Sequence, residues 1–277
     1  MAEKDFAIVT DSSCDLPASF LERAGVAHVE LSSLGDSADA VAPALERAYR
    51  DLAARGYARV VSVHSAPCFS PALEAARMAA ASCTDAIEVA PVDSGSGSAA
   101  TGMLVDRIAR HRYFDVPLER AVAAVEALAP HVRLLVVPTT SARFGRRRAG
   151  RSRLGALARA TSSLRVRISG ERGLYLLSRG EITQLARATE LIDLTSRLAH
   201  AMSAVAASEG PLVYALVETG DARTLRAAEK PLDTNEFESR CLGTVRATPA
   251  VETLIGTGAV AVAFAPAAAY DRDEKRR

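Results

Sequence analysis

Short apolar runs alternate with amphipathic segments along the first half of the chain. Runs of apolar residues bounded by polar residues or glycine predict strands, and apolar residues at three- and four-residue spacing predict helices. The predicted strands cover residues 6–10, 26–31, 59–63, 87–92 and 133–137. The predicted helices cover residues 16–24, 43–55, 70–81, 101–111 and 117–129. This alternation predicts a parallel β-sheet with helices on both faces.

The second half of the chain contains strand-like runs that follow one another directly. Strands are predicted at residues 164–169, 174–178, 211–219, 240–246 and 259–265, and helices at 153–159, 189–209 and 222–228. Consecutive strands favour an antiparallel or mixed sheet. We therefore predict an α/β domain over residues 1–150, a smaller α+β domain over residues 151–277, and a disordered charged tail at 270–277.

Composition favours a self-sufficient fold with nearly balanced charge. Of the 277 residues, 49% are apolar, which is enough for a core without metal or disulfide support. The 34 basic and 33 acidic residues nearly cancel, so no strong field attracts nucleic acid or an anionic membrane. We expect no nucleic-acid partner, and membrane contact is not indicated.

The sequence favours a cytoplasmic location. The start of the chain lacks the basic, long apolar pattern of a signal peptide, and the longest apolar runs are too short to span a bilayer. The cysteines contain no CxxC pair and the five histidines no pair at metal-ligand spacing. Neither a disulfide framework nor a metal site is expected.

The first candidate binding loop is Thr10-Asp-Ser-Ser-Cys-Asp-Leu-Pro17, where the first strand ends and a helix begins. Open α/β sheets bind ligands at such strand ends. The hydroxyls of Ser12 and Ser13 and the amides at the helix start suit a carboxylate or phosphate. A loop that only satisfies its own backbone, with Asp15 as the helix N-cap, is the competing interpretation.

A second candidate loop, Ser62-Val-His-Ser-Ala-Pro-Cys-Phe-Ser-Pro71, follows the third strand. Ser70 is placed either to donate its hydroxyl to a ligand or to cap the next helix, with Pro71 in the first turn. His64 lies near the strand end, where a structural role is commoner than a catalytic one.

The fourth strand ends in Asp93 and Ser94, followed by a stretch of small residues, Gly95 to Gly102. Small residues allow a backbone or ligand to approach closely. The stretch has neither the Gly-Lys-Ser/Thr ending of a phosphate loop nor the GxGxxG spacing of a dinucleotide site. No nucleotide cofactor is expected.

The basic run Arg143-Phe-Gly-Arg-Arg-Arg-Ala-Gly-Arg151 is the densest cluster of charge. Guanidinium groups bind phosphates and carboxylates in bidentate geometry. The run predicts either an anion site or a solvated turn between domains, and without interleaved aromatic residues it does not resemble a nucleic-acid groove.

These segments together resemble the DegV family of bacterial fatty-acid-binding proteins. The loop at 10–17 is similar to the family's TDS-x-x-DLP loop, and the segment 62–70 to its SIxxxLSGTYxSA segment. Residues 92–105 are similar to V-DS-x-x-S-x-x-x-G-x-LV, and 147–151 to the KKGGR turn. Gly180-Glu-Ile182 resembles the GEI turn, and Ile255-Gly-Thr-Gly-Ala259 the HTGPGA loop.

The resemblance implies a Rossmann-like N-terminal domain, a smaller C-terminal domain, and a long-chain fatty acid held between them without catalysis or a cofactor. A fatty-acid kinase is the implied protein partner, which phosphorylates the bound acid. The implied ligand-binding residues are Ser70, Ser12, Ser13, Ser37, Asp93 and Ser94. The implied partner- or phosphate-binding residues are Arg148 and Arg151.

The chain departs from the family pattern around the ligand head group. Ser37 is the only hydroxyl left where the family has TSQPS, Pro71-Ala72 replaces the Gly-Thr after the ligand serine, and Leu254 replaces the histidine of the C-terminal loop. Because the acyl tail supplies most of the affinity and the head group supplies orientation, we keep lipid binding as the prediction.

Two other classes of function remain open. The first is a serine hydrolase that uses Ser70 or Ser94 with His64 and Asp11 or Asp93, although the chain has no G-x-S-x-G nucleophile elbow. The second is an interaction or regulatory protein that keeps the fold and has lost the ligand.

Overall fold

The computed structural model describes residues 6–31, 37–139, 170–234 and 236–272 of the chain. Residue contacts divide it into two compact units. The first unit consists of Met1–Val132 and Ser178–Gly180, and the second consists of Arg133–Leu177 and Glu181–Arg277.

The first unit is built on a four-stranded parallel sheet with the strand order β2-β1-β3-β4. Its strands are β1 (Ala7–Asp11), β2 (Val26–Val29), β3 (Arg59–His64) and β4 (Glu88–Asp93). Its helices are α1 (Ala18–Ala24), α2 (Ala38–Ala54), α3 (Ala72–Ser82), α4 (Ala99–Tyr113) and α5 (Leu118–Leu128). A helix follows each strand along the chain, so the carboxyl ends of all four strands lie at one edge.

The two middle strands of this sheet, β1 and β3, are almost completely buried. Every residue of β1 and every residue of β3 except Arg59 is buried, as is usual when both faces of a parallel sheet are covered. Helix α2 packs against α3, and α4 against α5. The middle strands therefore form a rigid base for the loops that follow them.

The second unit contains a six-stranded mixed sheet with the order β7-β6-β5-β10-β8-β9. Its strands are β5 (Arg133–Val137), β6 (Arg172–Ser178), β7 (Glu181–Ala188), β8 (Leu212–Glu218), β9 (Ser239–Arg246) and β10 (Val260–Pro266). Its helices are α6 (Leu191–Glu209), α7 (Ala222–Asp233), α8 (Pro249–Ile255) and α9 (Ala267–Tyr270). β8 and β9 are parallel, whereas β10 is antiparallel to both β5 and β8.

The core of the second unit lies between its sheet and helix α6. Leu194, Leu198 and Met202 repeat every four residues on α6 and are fully buried, the spacing of one helix face. They belong to the same apolar cluster as Phe264 of β10. The prediction of a parallel α/β sheet followed by a second, mixed sheet is confirmed.

Strand β7 and helices α8 and α9 were not predicted from the sequence, and two further elements differ from their predicted placement. The strand at 133–137 was assigned to the first domain, but it pairs antiparallel with β10 and β6 in the second sheet. Helix α2 begins at Ala38 rather than Pro43, because Ser37 Oγ accepts a hydrogen bond from Ala40 N and caps it (3.2 Å). Pro43 then lies inside the helix, where it removes one backbone hydrogen bond.

Other predictions fall outside the described residues: the helix at 153–159, the strand at 164–169, the boundary near Gly150 and the end of the tail at 273–277. Within the described ranges, no helix combines the length and the apolar character needed to cross a membrane.

Candidate functional site

Three loops follow the carboxyl ends of β1, β3 and β4 and meet at one edge of the parallel sheet. We call them the strand-end loops: residues 11–17, 64–71 and 93–98. Their buried polar residues are Asp11, Ser12, Ser13, Asp15, His64, Ser65, Ser70, Ser94, Ser96 and Ser98. Buried polar groups are costly unless they are hydrogen-bonded, so the bonds within these loops define the site.

Four fully buried side chains form a row of hydrogen bonds from α2 to β1, which we call the relay. Tyr49 OH lies 2.8 Å from Ser62 Oγ, and Ser62 Oγ lies 2.7 Å from His64 Nε2. His64 Nδ1 lies 2.5 Å from Asp11 Oδ2. Ser62 and His64 are two residues apart on β3, so their side chains share one face of the strand. The relay therefore links α2, β3 and β1.

Asp11 connects the relay to the first strand-end loop. Its second carboxylate oxygen, Oδ1, accepts a hydrogen bond from Ser13 N (2.8 Å) and caps the short 3-10 turn Ser12–Cys14. Burial raises the pKa of the Asp11 carboxyl, but the hydrogen bond from His64, with the bonds from Ser13, brings it below its ordinary value of 3.8. Asp11 is therefore ionised, and both of its oxygens are occupied.

A second chain of hydrogen bonds joins hydroxyl groups across the three loops; we call it the hydroxyl chain. Ser13 Oγ lies 2.8 Å from Ser65 Oγ, which lies 2.9 Å from Thr101 Oγ1 on α4. Thr101 Oγ1 lies 2.9 Å from Ser94 Oγ, and Ser94 Oγ donates to Ser96 O (3.2 Å). Because the last hydroxyl donates to a carbonyl, each earlier one can donate to the next, and every hydrogen in the chain then has an acceptor.

Ser70 differs from the serines of the hydroxyl chain in the use of its hydrogen within the described residues. Its oxygen accepts a hydrogen bond from Ala72 N (3.2 Å) at the start of α3, and the residue is 4% exposed. No described residue accepts the Ser70 hydroxyl hydrogen. Ser70 thus offers a nearly buried donor beside the N-terminus of a helix, where an anion is favoured.

Two glycines let the strand-end loops pack closely. A Cβ on Gly102 of α4 would lie 2.8 Å from the carbonyl oxygen of Cys14, and one on Gly97 would lie 2.5 Å from Cγ of Phe69. Both distances are too short for a side chain to be tolerated without movement. The small-residue stretch after β4 therefore serves close contact between backbone and neighbouring loops.

Asp15 does not cap helix α1, so that prediction is wrong. The cap position is Pro17, and Asp15 has a left-handed backbone (φ 52°) that turns its carboxylate away from the helix. The carboxylate instead accepts a hydrogen bond from Ser98 Oγ of the third loop. Asp15 therefore ties two strand-end loops together across the sheet edge.

The remaining residues predicted from the sequence lie in different places. Ser12 Oγ accepts from Leu31 N (3.0 Å), and Asp93 Oδ1 accepts from Gly95 N (2.7 Å) in the third loop. Ser37 is exposed and caps α2, apart from the hydroxyl chain. Arg148 and Arg151 lie outside the described residues. The ligand roles of all these residues, and of Ser13 and Ser94, stay predictions.

A family model described as "Uncharacterised protein, DegV family" matches residues 34–267 of the chain. This match extends over most of the sequence, including the second and third strand-end loops. The chain belongs to the DegV family. The resemblance inferred from the sequence motifs is thereby confirmed.

Solved structures of similar proteins share this fold along nearly their whole length. A DegV family protein from Corynebacterium glutamicum is 20% identical, with a TM-score of 0.78 over 96% of this chain and 99% of that one. A fatty-acid-binding DegV family protein from Thermus thermophilus is 19% identical, with a TM-score of 0.75 and coverages of 95% and 99%. A stearic-acid-binding protein from Eubacterium ventriosum is 14% identical, with a TM-score of 0.73 and coverages of 96% and 99%. A search of curated protein sequences finds no match.

In this DegV protein, the serine that is hydrogen-bonded to His64 is not one of the serines that the hydrolase hypothesis named. His64 Nε2 contacts Ser62, whereas the hypothesis proposed Ser70 or Ser94 as the nucleophile. Ser62, His64 and Asp11 have the order of a catalytic triad, but all three are fully buried and Ser62 is covered by Tyr49.

Burial also raises the pKa of the Cys14 thiol in the first loop to about 12, so this thiol keeps its proton.

Sequence reasoning missed Tyr49, Ser62, Ser65 and Thr101. The polar residues Ser62 and His64 alternate with valines along β3, which signals that one face of a buried strand carries hydrogen-bonding groups. Tyr49 lies within the apolar face of α2 and gave no such signal. Among the described residues, no group of three or more His, Cys, Asp or Glu side chains is placed to hold a metal ion.

Proposed function

We propose that this DegV protein binds a long-chain fatty acid without changing it chemically, and that Ser70 donates its hydroxyl hydrogen to the carboxylate. The observation that carries the proposal is that no described residue accepts the hydrogen of the nearly buried Ser70, which lies beside the N-terminus of α3. A carboxylate accepts hydrogen bonds and cannot donate them, so it matches this environment. The hydroxyl chain and the relay provide the support for the loop that carries Ser70.

Solved relatives support the choice of ligand class. The Thermus thermophilus protein is described as binding fatty acid and the Eubacterium ventriosum protein as binding stearic acid. Both share the fold of this chain, and Ser70 falls on the serine that the family resemblance assigns to the ligand. Stearic acid is therefore the first ligand to test.

The acyl tail and the carboxylate make different contributions to the proposed complex. Burying one methylene gains about 0.8 kcal/mol, so a long acyl chain gains on the order of 10 kcal/mol before the costs of binding. Losing one hydrogen bond to a charged group costs about 1.5–3 kcal/mol. The head-group changes at Ser37, Pro71 and Leu254 thus alter orientation and ligand choice more than the ability to bind an acyl chain.

Presentation of the bound acid to a fatty-acid kinase is the second part of the proposal. It is supported by the similarity of residues 147–151 to the family's arginine turn. Guanidinium groups at Arg148 and Arg151 suit a phosphate or a carboxylate on the partner. Loss of phosphorylation of the bound acid in an Arg148→Ala, Arg151→Ala double variant that still binds stearate would support this part.

The direct test is titration of delipidated protein with stearate, followed by native mass spectrometry. We expect a one-to-one complex, and a co-purified acid before delipidation. Palmitoyl glucoside, which has a similar tail and no carboxylate, serves as the matched ligand and should bind more weakly. A protein that takes up no stearate would contradict the proposal and favour the interaction protein that has lost its ligand.

A further inference from the structure

The relay and the hydroxyl chain meet at a single residue, Ser13. The relay reaches Ser13 through its amide, which donates to Asp11 Oδ1 at 2.8 Å. The hydroxyl chain leaves from Ser13 Oγ, 2.8 Å from Ser65 Oγ. One continuous path of hydrogen bonds therefore runs from Tyr49 on α2, through all three strand-end loops, to Ser94 after β4.

Among the described residues, one assignment of donors and acceptors gives every polar group of the relay a hydrogen-bond partner. Asp11 is ionised and can only accept, so His64 Nδ1 must donate to it. With a neutral ring, Nε2 accepts from Ser62, and the Ser62 oxygen accepts from Tyr49. The reverse order would leave the Tyr49 hydrogen without an acceptor among the described residues. Burial also raises the pKa of Tyr49, so its phenol keeps the hydrogen that it donates.

The second strand-end loop also starts from the relay. Ser65 follows His64 directly and bonds both Ser13 and Thr101. Ala66 N then donates to Ser96 O (2.7 Å), and Ser70 N donates to Ala66 O (3.0 Å). The segment that ends in Ser70 is therefore tied by hydrogen bonds to residues directly next to the relay.

We infer that Tyr49, Ser62 and His64 are positioning residues, which hold Asp11, Ser13 and Ser65 in the geometry that presents the Ser70 hydroxyl to a carboxylate. The inference rests on the proposed function. None of the three side chains touches the ligand, since each is fully buried and has its partners within the relay. Their effect on the ligand passes through the strand-end loops.

A positioning residue can be distinguished from a residue that only stabilises the fold by comparing the binding of an acid with that of its ester. A residue that only stabilises the protein affects an acid and its ester equally, because both carry the same acyl tail. A residue that positions Ser70 affects the acid alone, because a hydrogen bond to a charged acceptor is stronger and more sensitive to geometry.

The test compares stearate with methyl stearate, using Tyr49→Phe and His64→Gln and two matched controls at exposed positions, Tyr113→Phe and His28→Gln. We expect the dissociation constant for stearate to rise about tenfold in both relay variants, the factor for one well-formed hydrogen bond. The dissociation constant for methyl stearate, and both constants in the two controls, should stay within about twofold of the wild-type values, less than one hydrogen bond is worth.

The possible outcomes distinguish failure of this inference from failure of the proposed function. If the wild type binds stearate and the relay variants lose equal affinity for stearate and methyl stearate, the inference is overturned and the proposed function stands. Unchanged stearate binding in Tyr49→Phe and His64→Gln overturns it as well. A wild-type protein that binds neither ligand overturns the proposed function and, with it, this inference.

A spectroscopic measurement on the wild type covers the case in which a variant fails to fold. In protein labelled with ¹⁵N on histidine, we expect His64 to show a protonated Nδ1 and an unprotonated Nε2 at neutral pH, the tautomer that the relay requires. A protonated Nε2 would contradict the order of the relay and overturn the inference.

Discussion

Replacement of Asp11 by asparagine should lower the free energy of unfolding at neutral pH by about 1–3 kcal/mol, the cost of leaving one buried donor without an acceptor. Asp11 accepts from His64 on one oxygen and from Ser13 N on the other. An asparagine has one acceptor oxygen, so its NH₂ group would face one of these two donors. Denaturant unfolding of the wild type and Asp11→Asn measures the difference directly.

The effect of Asp11 should depend on pH in a defined direction. The pKa of this carboxyl lies below 3.8 in the folded protein, so the folded state favours the ionised form. The stability that it contributes is present above the ordinary pKa and is lost as the pH falls through the lowered value. The difference between wild type and Asp11→Asn should therefore be constant near neutral pH and shrink below about pH 4.

Asp39→Asn is the matched control for this experiment. Asp39 is an exposed residue in the first turn of α2. Its replacement should cost only a small fraction of the loss at Asp11, because exposed charges near a helix end are weakly coupled to stability. Equal losses in the two variants would show that the buried carboxylate has no special role.

Replacement of Ser70 by alanine should raise the dissociation constant for stearate about 10- to 100-fold, the range expected for one lost hydrogen bond to a charged group. Stability should change little, since among the described residues the Ser70 oxygen accepts one bond, from Ala72 N. The backbone bonds from Ser70 N to Ala66 O and from Ala66 N to Ser96 O are retained. The measurement is a calorimetric or fluorescence titration of both proteins with stearate.

Ser82→Ala is the control for Ser70→Ala, because Ser82 ends the same helix and its hydroxyl is exposed and bonds to Met78 O. It should leave stearate binding unchanged. If Ser70→Ala and wild type bind stearate with the same dissociation constant, Ser70 does not hold the carboxylate.

The periodicity of the sequence determined the elements of the parallel sheet. The valines of β3 and the apolar residues of β1 are buried on both faces, so a continuous apolar run was a sufficient signal. The positions of the strand-end loops followed from those strands. Ser12, Ser13, Ser70 and Ser94 were therefore placed at one sheet edge by sequence alone.

Pairing and side-chain direction were not predictable in the same way. An apolar run such as 133–137 fits the interior of either sheet, and only its pairing with β10 assigns it to the second. The carboxylate of Asp15 was expected at its own helix, but a left-handed backbone directs it to Ser98, far away in sequence. Both outcomes depend on long-range contacts that local patterns do not contain.

The hydrogen-bond partners of His64 could not be predicted for the same reason. Its alternation with Ser62 was visible, whereas the side chains that complete the relay come from Tyr49 on α2 and Asp11 on β1. Which helix residue reaches a given strand residue depends on how α2 packs on the sheet, and the apolar spacing of α2 does not specify that register.

The most direct test of the account is a crystal structure of the delipidated protein soaked or co-crystallised with stearate. The account predicts a carboxylate oxygen about 2.5–3.0 Å from Ser70 Oγ, the distance of an O–H···O⁻ hydrogen bond. The relay and the hydroxyl chain should remain unchanged around it. A bound stearate whose carboxylate contacts none of the strand-end loops would contradict the account.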